Sequence, residues 1–157
     1  MPVTIENLRL VDLDKASRLI HKFWGLNSEF EPTLELDEDY LEEIKKNVKM
    51  SITDKRQMVL VARDEQKIVG LIRVEIRDNP YYGKKLIAKI IELYVVPAHR
   101  RAGIAAALID RISERLSGQD METLTAEFPT QNVLAASFYE SNSFAPFITV
   151  YAKKLKA

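Results

Sequence analysis

The sequence contains no cysteine. That excludes disulfides, thiolate zinc sites and a cysteine nucleophile. Histidine is nearly as scarce, with only His21 and His99, so a histidine-built metal site is not expected. There is no net charge, because 23 Lys and Arg balance 23 Asp and Glu, and nothing global points to nucleic acid or a membrane surface. No apolar run approaches the roughly 18–20 residues that a membrane span needs. The opening Met1-Pro2-Val3-Thr4-Ile5-Glu6 lacks the basic and apolar stretches of a signal peptide. The reading is one soluble, cytoplasmic domain covering residues 1–157, with no metal.

Periodicity organises what is present. Val3 to Leu10 alternates as a first strand. Asp12 stands where a helix cap belongs, before Leu13, Ala16, Leu19, Ile20, Phe23 and Trp24 at helical spacing to about Leu26. A second helix is expected from Asp37 to about Met50. The period then changes to two. Met58–Ala62, Ile68–Ile76 and Leu86–Val96 read as three strands joined by short polar links, which predicts an antiparallel meander. A helix over Gly103–Leu116, a strand over Met121–Phe128, a helix over Asn132–Ser141 and a closing strand or strand pair over Phe144–Leu155 complete the order. This is an α/β arrangement, a mixed and mostly antiparallel sheet of six to seven strands flanked by about four helices.

The segment Leu93-Tyr94-Val95-Val96-Pro97-Ala98-His99-Arg100-Arg101-Ala102-Gly103-Ile104-Ala105 carries the chemistry. A strand runs into a tight turn and a helix begins. The first amides of a helix lack intrahelical partners, carry partial positive charge and suit a phosphate. Gly103 permits close backbone approach, the small Ala102 and Ala105 keep the helix mouth clear, and Arg100 and Arg101 add charge.

Here the sequence resembles the GNAT acetyltransferase family. That family's acetyl-CoA signature is Gln/Arg-x-x-Gly-x-Gly/Ala at a strand-to-helix turn, and Arg100-Arg101-Ala102-Gly103-Ile104-Ala105 matches each fixed position. A later stretch, Asn132 to Phe144, resembles the family's Asn-x-x-Ala-x-x-Phe/Leu-Tyr-Glu signature, with Ser143 where the family usually has glycine. Asn142, which tolerates positive φ, is the residue expected to relieve that turn. The resemblance implies that the amides of Arg101 to Ala105 hold a pyrophosphate. It implies that the backbone around Tyr94, Val95 and Val96 pairs with the pantetheine arm, that Asn132 bonds that arm, and that Tyr139 protonates the departing thiolate. For the base, Glu92 interrupts an apolar strand and corresponds to the glutamate of several family members. Glu75 and Glu127 are weaker candidates, each also readable as a solvent-facing strand residue. His99 reads as a surface residue, and His21 as packed near Phe23 and Trp24.

The implied activity is N-acetylation of a primary amine by acetyl-CoA through direct transfer in a ternary complex. The alternatives are a protein N-terminal or lysine acetyltransferase, or a non-catalytic acyl-CoA-binding regulator. Between Phe23 and Ile44 stand Glu29, Glu31, Glu35, Asp37, Glu38, Asp39, Glu42 and Glu43 without a lysine or arginine. That is either a solvated face with acids at a helix start or a lip that attracts a cationic small molecule or protein acceptor. Neither the acceptor nor the oligomeric state is legible, although homodimers are frequent in the family.

Overall fold

The computed structural model describes residues 2–37, 40–79, 81–83, 86–119 and 121–156. Strand β1 (Thr4–Asn7) leads to helices α1 (Leu13–Phe30) and α2 (Leu41–Thr53). Strands β2 (Gln57–Asp64), β3 (Lys67–Asp78) and β4 (Leu86–Val95) follow, then α3 (Ile104–Ser117), β5 (Leu124–Ala126) and α4 (Val133–Ser141). The strands lie side by side in chain order, antiparallel from β1 to β4, with β5 parallel to β4. The parallel step follows from α3, which carries the chain back across the sheet before β5 begins.

Two apolar layers sandwich the sheet. Leu60, Ile72, Val74, Ile90 and Val95 face Leu108 and Ile112 of α3. Val59, Val61, Leu71 and Tyr94 face Leu13, Ala16, Leu19 and Ile20 of α1 and Val48 of α2. Alternate residues of one strand point to opposite faces, so burial on both sides makes Met58–Ala62 a continuous apolar run. Helix α1 continues past the expected Leu26 to Phe30. It ends because Glu31 precedes Pro32, which disfavours helical backbone in the residue before it.

The structure corrects three sequence expectations. Asp12 is the N-terminal flanking residue of α1 but makes no side-chain cap. Its carboxylate instead takes the buried Arg63 guanidinium, which also bonds Glu6. That contact holds the Asp12 carboxyl below its ordinary pKa. The sheet has five strands among the described residues, not six to seven, although the four helices are as expected. The difference is Phe144–Leu155, which forms no strand. Its β-branched and aromatic composition favours extended backbone but does not by itself supply a partner strand.

The third correction concerns the end of α4. Ser143 itself adopts positive φ (70°), while Asn142 stays at φ −107° and donates its side-chain amide to the Phe138 carbonyl at 2.8 Å. Phe144 N–H bonds the Tyr139 carbonyl at 3.0 Å, and Ser143 N–H bonds that of Glu140 at 3.2 Å. The Phe144 and Tyr139 rings meet at 5.0 Å. This is a Schellman close, in which the left-handed position favours glycine. Ser143→Gly is therefore expected to stabilise the protein by about 1 kcal/mol, because an L side chain is strained there. A thermal melt should rise by about 2–4 °C.

Candidate active site

The site begins as a gap in the sheet. Among the described residues, β5 pairs with β4 at Ala88, Lys89 and Ile90 alone, so beyond that point β4 has β3 on one side and no described strand on the other. A bulge at the same place separates the pairs Arg73↔Glu92 and Val74↔Ile90, leaving Ile91 as the extra residue. Bulges bend a strand and re-aim its side chains. Here the bulge turns Ile90 toward the α3 layer and Glu92 toward the α1 layer.

Past the bulge, Val96 N–H donates to the Val69 carbonyl at 2.9 Å, and Tyr94 stands opposite Leu71. Backbone direction alternates along a strand, so Val95 turns its N–H and C=O to the open side. The amide facing the gap is thus that of Val95, while those of Tyr94 and Val96 face β3. Arg100 Nε donates to the Val95 carbonyl at 2.9 Å, and its guanidinium lies 5.3 Å from the Tyr94 ring centroid.

The chain then makes a 3₁₀ turn over Pro97–His99 and enters α3 through Arg101 (φ 65°) and Gly103 (φ 78°). Gly103 precedes α3 without any side-chain cap, and a Cβ built on it meets nothing within 4 Å. Left-handed residues in such a turn present backbone N–H groups as an anion-binding concavity. Uncapped amides, two arginines and open volume above them fit a diphosphate. Below the turn, Ile104 is buried and anchors the helix. Gly70 makes room for it, since a Cβ there would stand 3.2 Å from the Tyr94 carbonyl oxygen and 3.4 Å from Ile104 Cγ2. His99 is not simply a surface residue, because its Nε2 bonds Asp64 Oδ2 at 2.9 Å and pins the turn to the end of β2.

Asn132 caps α4, its Oδ1 accepting from Ala135 N–H at 3.0 Å. Tyr139, on that helix, stacks on Phe128 at 5.5 Å and meets Phe138 and Phe144 edge-on. Phe128 lies two residues past β5, so this stack ties α4 to the strand that diverges from β4. Burial pushes the Tyr139 phenol up to about 12, and it carries its proton throughout the neutral range.

Glu92 is fully buried. Arg73 Nε donates to its two carboxylate oxygens at 2.9 and 3.1 Å, and Arg73 Nη2 donates at 2.6 Å. Arg73 also donates to Gln57 Oε1 at 3.3 Å. Burial raises the Glu92 pKa against the opposing pull of Arg73. Of the other two carboxylates, Glu75 lies two residues beyond Arg73 on β3, and its charge adds to the upward shift of Glu92. Glu75 pairs with Arg77 at 3.0 Å, and the exposed Glu127 pairs with Lys89 at 2.8 Å. Sequence reasoning missed Arg73, Gln57 and Gly70. An arginine alternating with Ile72 and Val74 reads as solvent-facing, and only the cross-strand register brings it to Glu92.

On the acidic lip, Glu29, Glu35, Asp37, Glu42 and Glu43 are exposed, while Glu31 accepts from Thr33 Oγ1 at 2.6 Å. Glu38 and Asp39 lie outside the described residues. Tyr81 and Tyr82 are exposed, and Trp24 packs edge-on against Phe23 at 5.1 Å. The His21 Nε2 is buried without a hydrogen-bond partner among the described residues. No helix of the described residues is long and apolar enough to cross a membrane.

The fold is thus of the α/β class, a sheet that opens between two parallel strands, with uncapped backbone amides and two arginines at the mouth of the gap. Comparison with known proteins makes the class specific. The acetyltransferase (GNAT) domain matches residues 55–146, and the chain belongs to the GNAT acetyltransferase family, whose members use acetyl-CoA. Human N-acetyltransferase 8 is 27% identical over 96 residues, an alignment spanning 61% of this chain and 42% of that protein. The chain thus spans less than half the length of this relative. Among solved structures, an aminoglycoside antibiotic 6'-N-acetyltransferase from Acinetobacter haemolyticus superposes with TM-score 0.74 at 18% identity, over 98% of this chain and 99% of that one. A ribosomal-protein-alanine N-acetyltransferase from Brucella melitensis superposes with TM-score 0.71 at 21% identity, over 99% and 100%. At such identities the likeness is one of fold.

Proposed function

We propose that this chain transfers the acetyl group of acetyl-CoA to a primary amine, directly, within a ternary complex. The observation that carries the reading is the β4–β5 gap running into the uncapped, positive-φ turn before α3. The amides of Arg101 to Ala105 and the Arg100 and Arg101 side chains hold the pyrophosphate. The Val95 backbone lines the pantetheine arm, as a peptide strand lines a sheet edge. Asn132 meets that arm with the amide end that its cap leaves over. Acetyl-CoA supplies the acyl group already activated as a thioester. The Val95 N–H, aimed into the gap, is the preorganised donor for a carbonyl oxygen. Tyr139 holds the proton that a departing thiolate needs. Glu92 is enclosed, so it receives the amine proton through water. The absence of cysteine removes an acyl-cysteine route. The exposed acids of the lip favour a cationic acceptor.

The first test is a melt with and without acetyl-CoA. At a hundred times Kd, binding adds about 2.7 kcal/mol, a rise of several degrees for a domain of this size. Gly103→Ala places a methyl in the open volume over the amides. It is expected to weaken acetyl-CoA binding about tenfold or more, which is about 1.4 kcal/mol. Amine-dependent release of CoA thiol then reports turnover, on a chain with no thiol of its own. A melt unmoved by millimolar acetyl-CoA overturns the proposal. Binding without thiol release across a panel of amines would favour the regulatory reading.

A further inference from the structure

The turn that enters α3 is held mostly by its own residues. His99 N–H donates to the Val96 carbonyl, Arg100 N–H donates to the Pro97 carbonyl, and the Arg100 side chain reaches back only to Val95. Among the described residues, one side-chain bond ties this turn to a distant part of the chain, that of His99 Nε2 to Asp64 Oδ2 at 2.9 Å. A carboxylate only accepts, so Nε2 carries the hydrogen. The Nδ1 of the same ring is enclosed and has no partner among the described residues. Asp64 ends β2, and β3 lies between β2 and β4, so the bond spans the start of β3. Asp64 stands on a firm support. Its neighbour Arg63 is buried and bonds Asp12 and Glu6, which fixes the end of β2 against the start of α1 and against β1. Asp64 also pairs with Lys67 across a two-residue turn, which leaves it little freedom.

We infer that His99 and Asp64 are positioning residues for the acyl donor. Their bond holds the turn in the shape in which the amides of Arg101 to Ala105 converge, and so sets the affinity for acetyl-CoA without touching it. The inference rests on the acyl-transfer reading above. Arg101 keeps positive φ (65°) without glycine's freedom, a strained state that persists only when surrounding structure imposes it. His99 stands two residues away, and its bond is the long-range contact able to impose it. Packing alone does not hold the turn there. Behind it lies a cavity of about 450 Å³, lined in part by Val69, Val96, Ala98 and His99 itself. A turn released from Asp64 would have to be ordered as the ligand binds, and that ordering subtracts from affinity. The transfer step belongs to Tyr139 and Glu92, to which neither residue bonds. The effect therefore falls on donor binding and leaves the chemistry alone.

The test uses the full chain and measures acetyl-CoA binding by calorimetry, then turnover by release of CoA thiol. His99→Ala and Asp64→Ala should each raise the Kd for acetyl-CoA about tenfold, and the double variant no further than either alone, because the two side chains act through one bond. At saturating donor, kcat and the KM for the amine should stay within about twofold of the unaltered chain. Asp64→Asn keeps an acceptor in place and His99→Gln keeps a donor, so each should restore most of the affinity, a recovery that lost packing would not show. An unaltered chain that does not bind acetyl-CoA overturns the acyl-transfer reading and this inference with it. Binding by the unaltered chain that both alanine variants match overturns this inference alone. So do additive losses in the double variant, a fall in kcat as large as the rise in Kd, or conservative variants as weak as the alanines. Alanine variants that lose their cooperative melt would assign the pair to the fold rather than to the turn, and the inference falls there too.

Discussion

Tyr139→Phe is expected to lower kcat by about two to four orders of magnitude while leaving the KM for acetyl-CoA within a few-fold, the loss of a general acid. The substitution removes only the hydroxyl. The ring keeps its stack on Phe128 and its edge contact with Phe144, so the melting temperature should move little. A loss confined to kcat marks an interaction made in the transition state rather than in binding. The pH dependence is a second readout. The phenol ionises at about 12 in the folded chain against an ordinary 10.0. The acid form therefore persists across the assay range, and no alkaline loss of activity near pH 10 should trace to Tyr139. For stability the sign is fixed by the same shift. The raised folded pKa means stability is full below pH 10 and is lost as pH rises toward 12, and Tyr139→Phe should lack that loss. An unchanged kcat would remove Tyr139 from the reaction.

The largest effect on stability is expected at the Arg73–Glu92 pair. Arg73→Met leaves a fully buried carboxylate without its guanidinium, which typically costs about 3–5 kcal/mol. For a domain of this size the melting temperature should fall on the order of 10 °C. Arg73→Met with Glu92→Met should recover most of it, because two apolar side chains need no partner for a charge. The deficit should also depend on pH. Without Arg73, burial holds the Glu92 pKa above the ordinary 4.5. A raised folded value means the variant is most stable below about pH 4.5 and loses stability as pH rises through the folded pKa. The gap to the unaltered protein should therefore narrow in acid. Melts of the three proteins at pH 5 and pH 8 decide this. If the double variant melts as low as the single one, the damage lies in packing rather than in an unpaired charge.

What could be read along the chain was what neighbouring residues decide among themselves. The strand before Val96, the turn through Gly103, the helix from Ile104 and the Asn132 cap are all local patterns, and each stands within a residue or two of where the spacing puts it. Apart from Asn142, whose neighbour Ser143 takes the positive φ, the readings that failed involve partners distant in sequence. Asp12 was the natural cap for α1, but Arg63 competes for its carboxylate from 51 residues away. His99 reads as surface until Asp64 is brought beside it from 35 residues away. Phe144–Leu155 has the composition of a strand, and composition does not say which edge it joins.

By itself the sequence determined the period of each element, the small-residue turn with its two arginines, and a chemistry without thiols, since these depend on side-chain type and spacing of a few residues. Only the tertiary structure decided that Val95 rather than Val96 faces the gap, that Ile91 bulges and so turns Glu92 inward, that Arg73 meets it there, and that β5 keeps an open edge. Those outcomes follow from strand register and from where two strands part. Register is set by the sum of many distant contacts, and a shift of one residue reverses the face of every side chain beyond it.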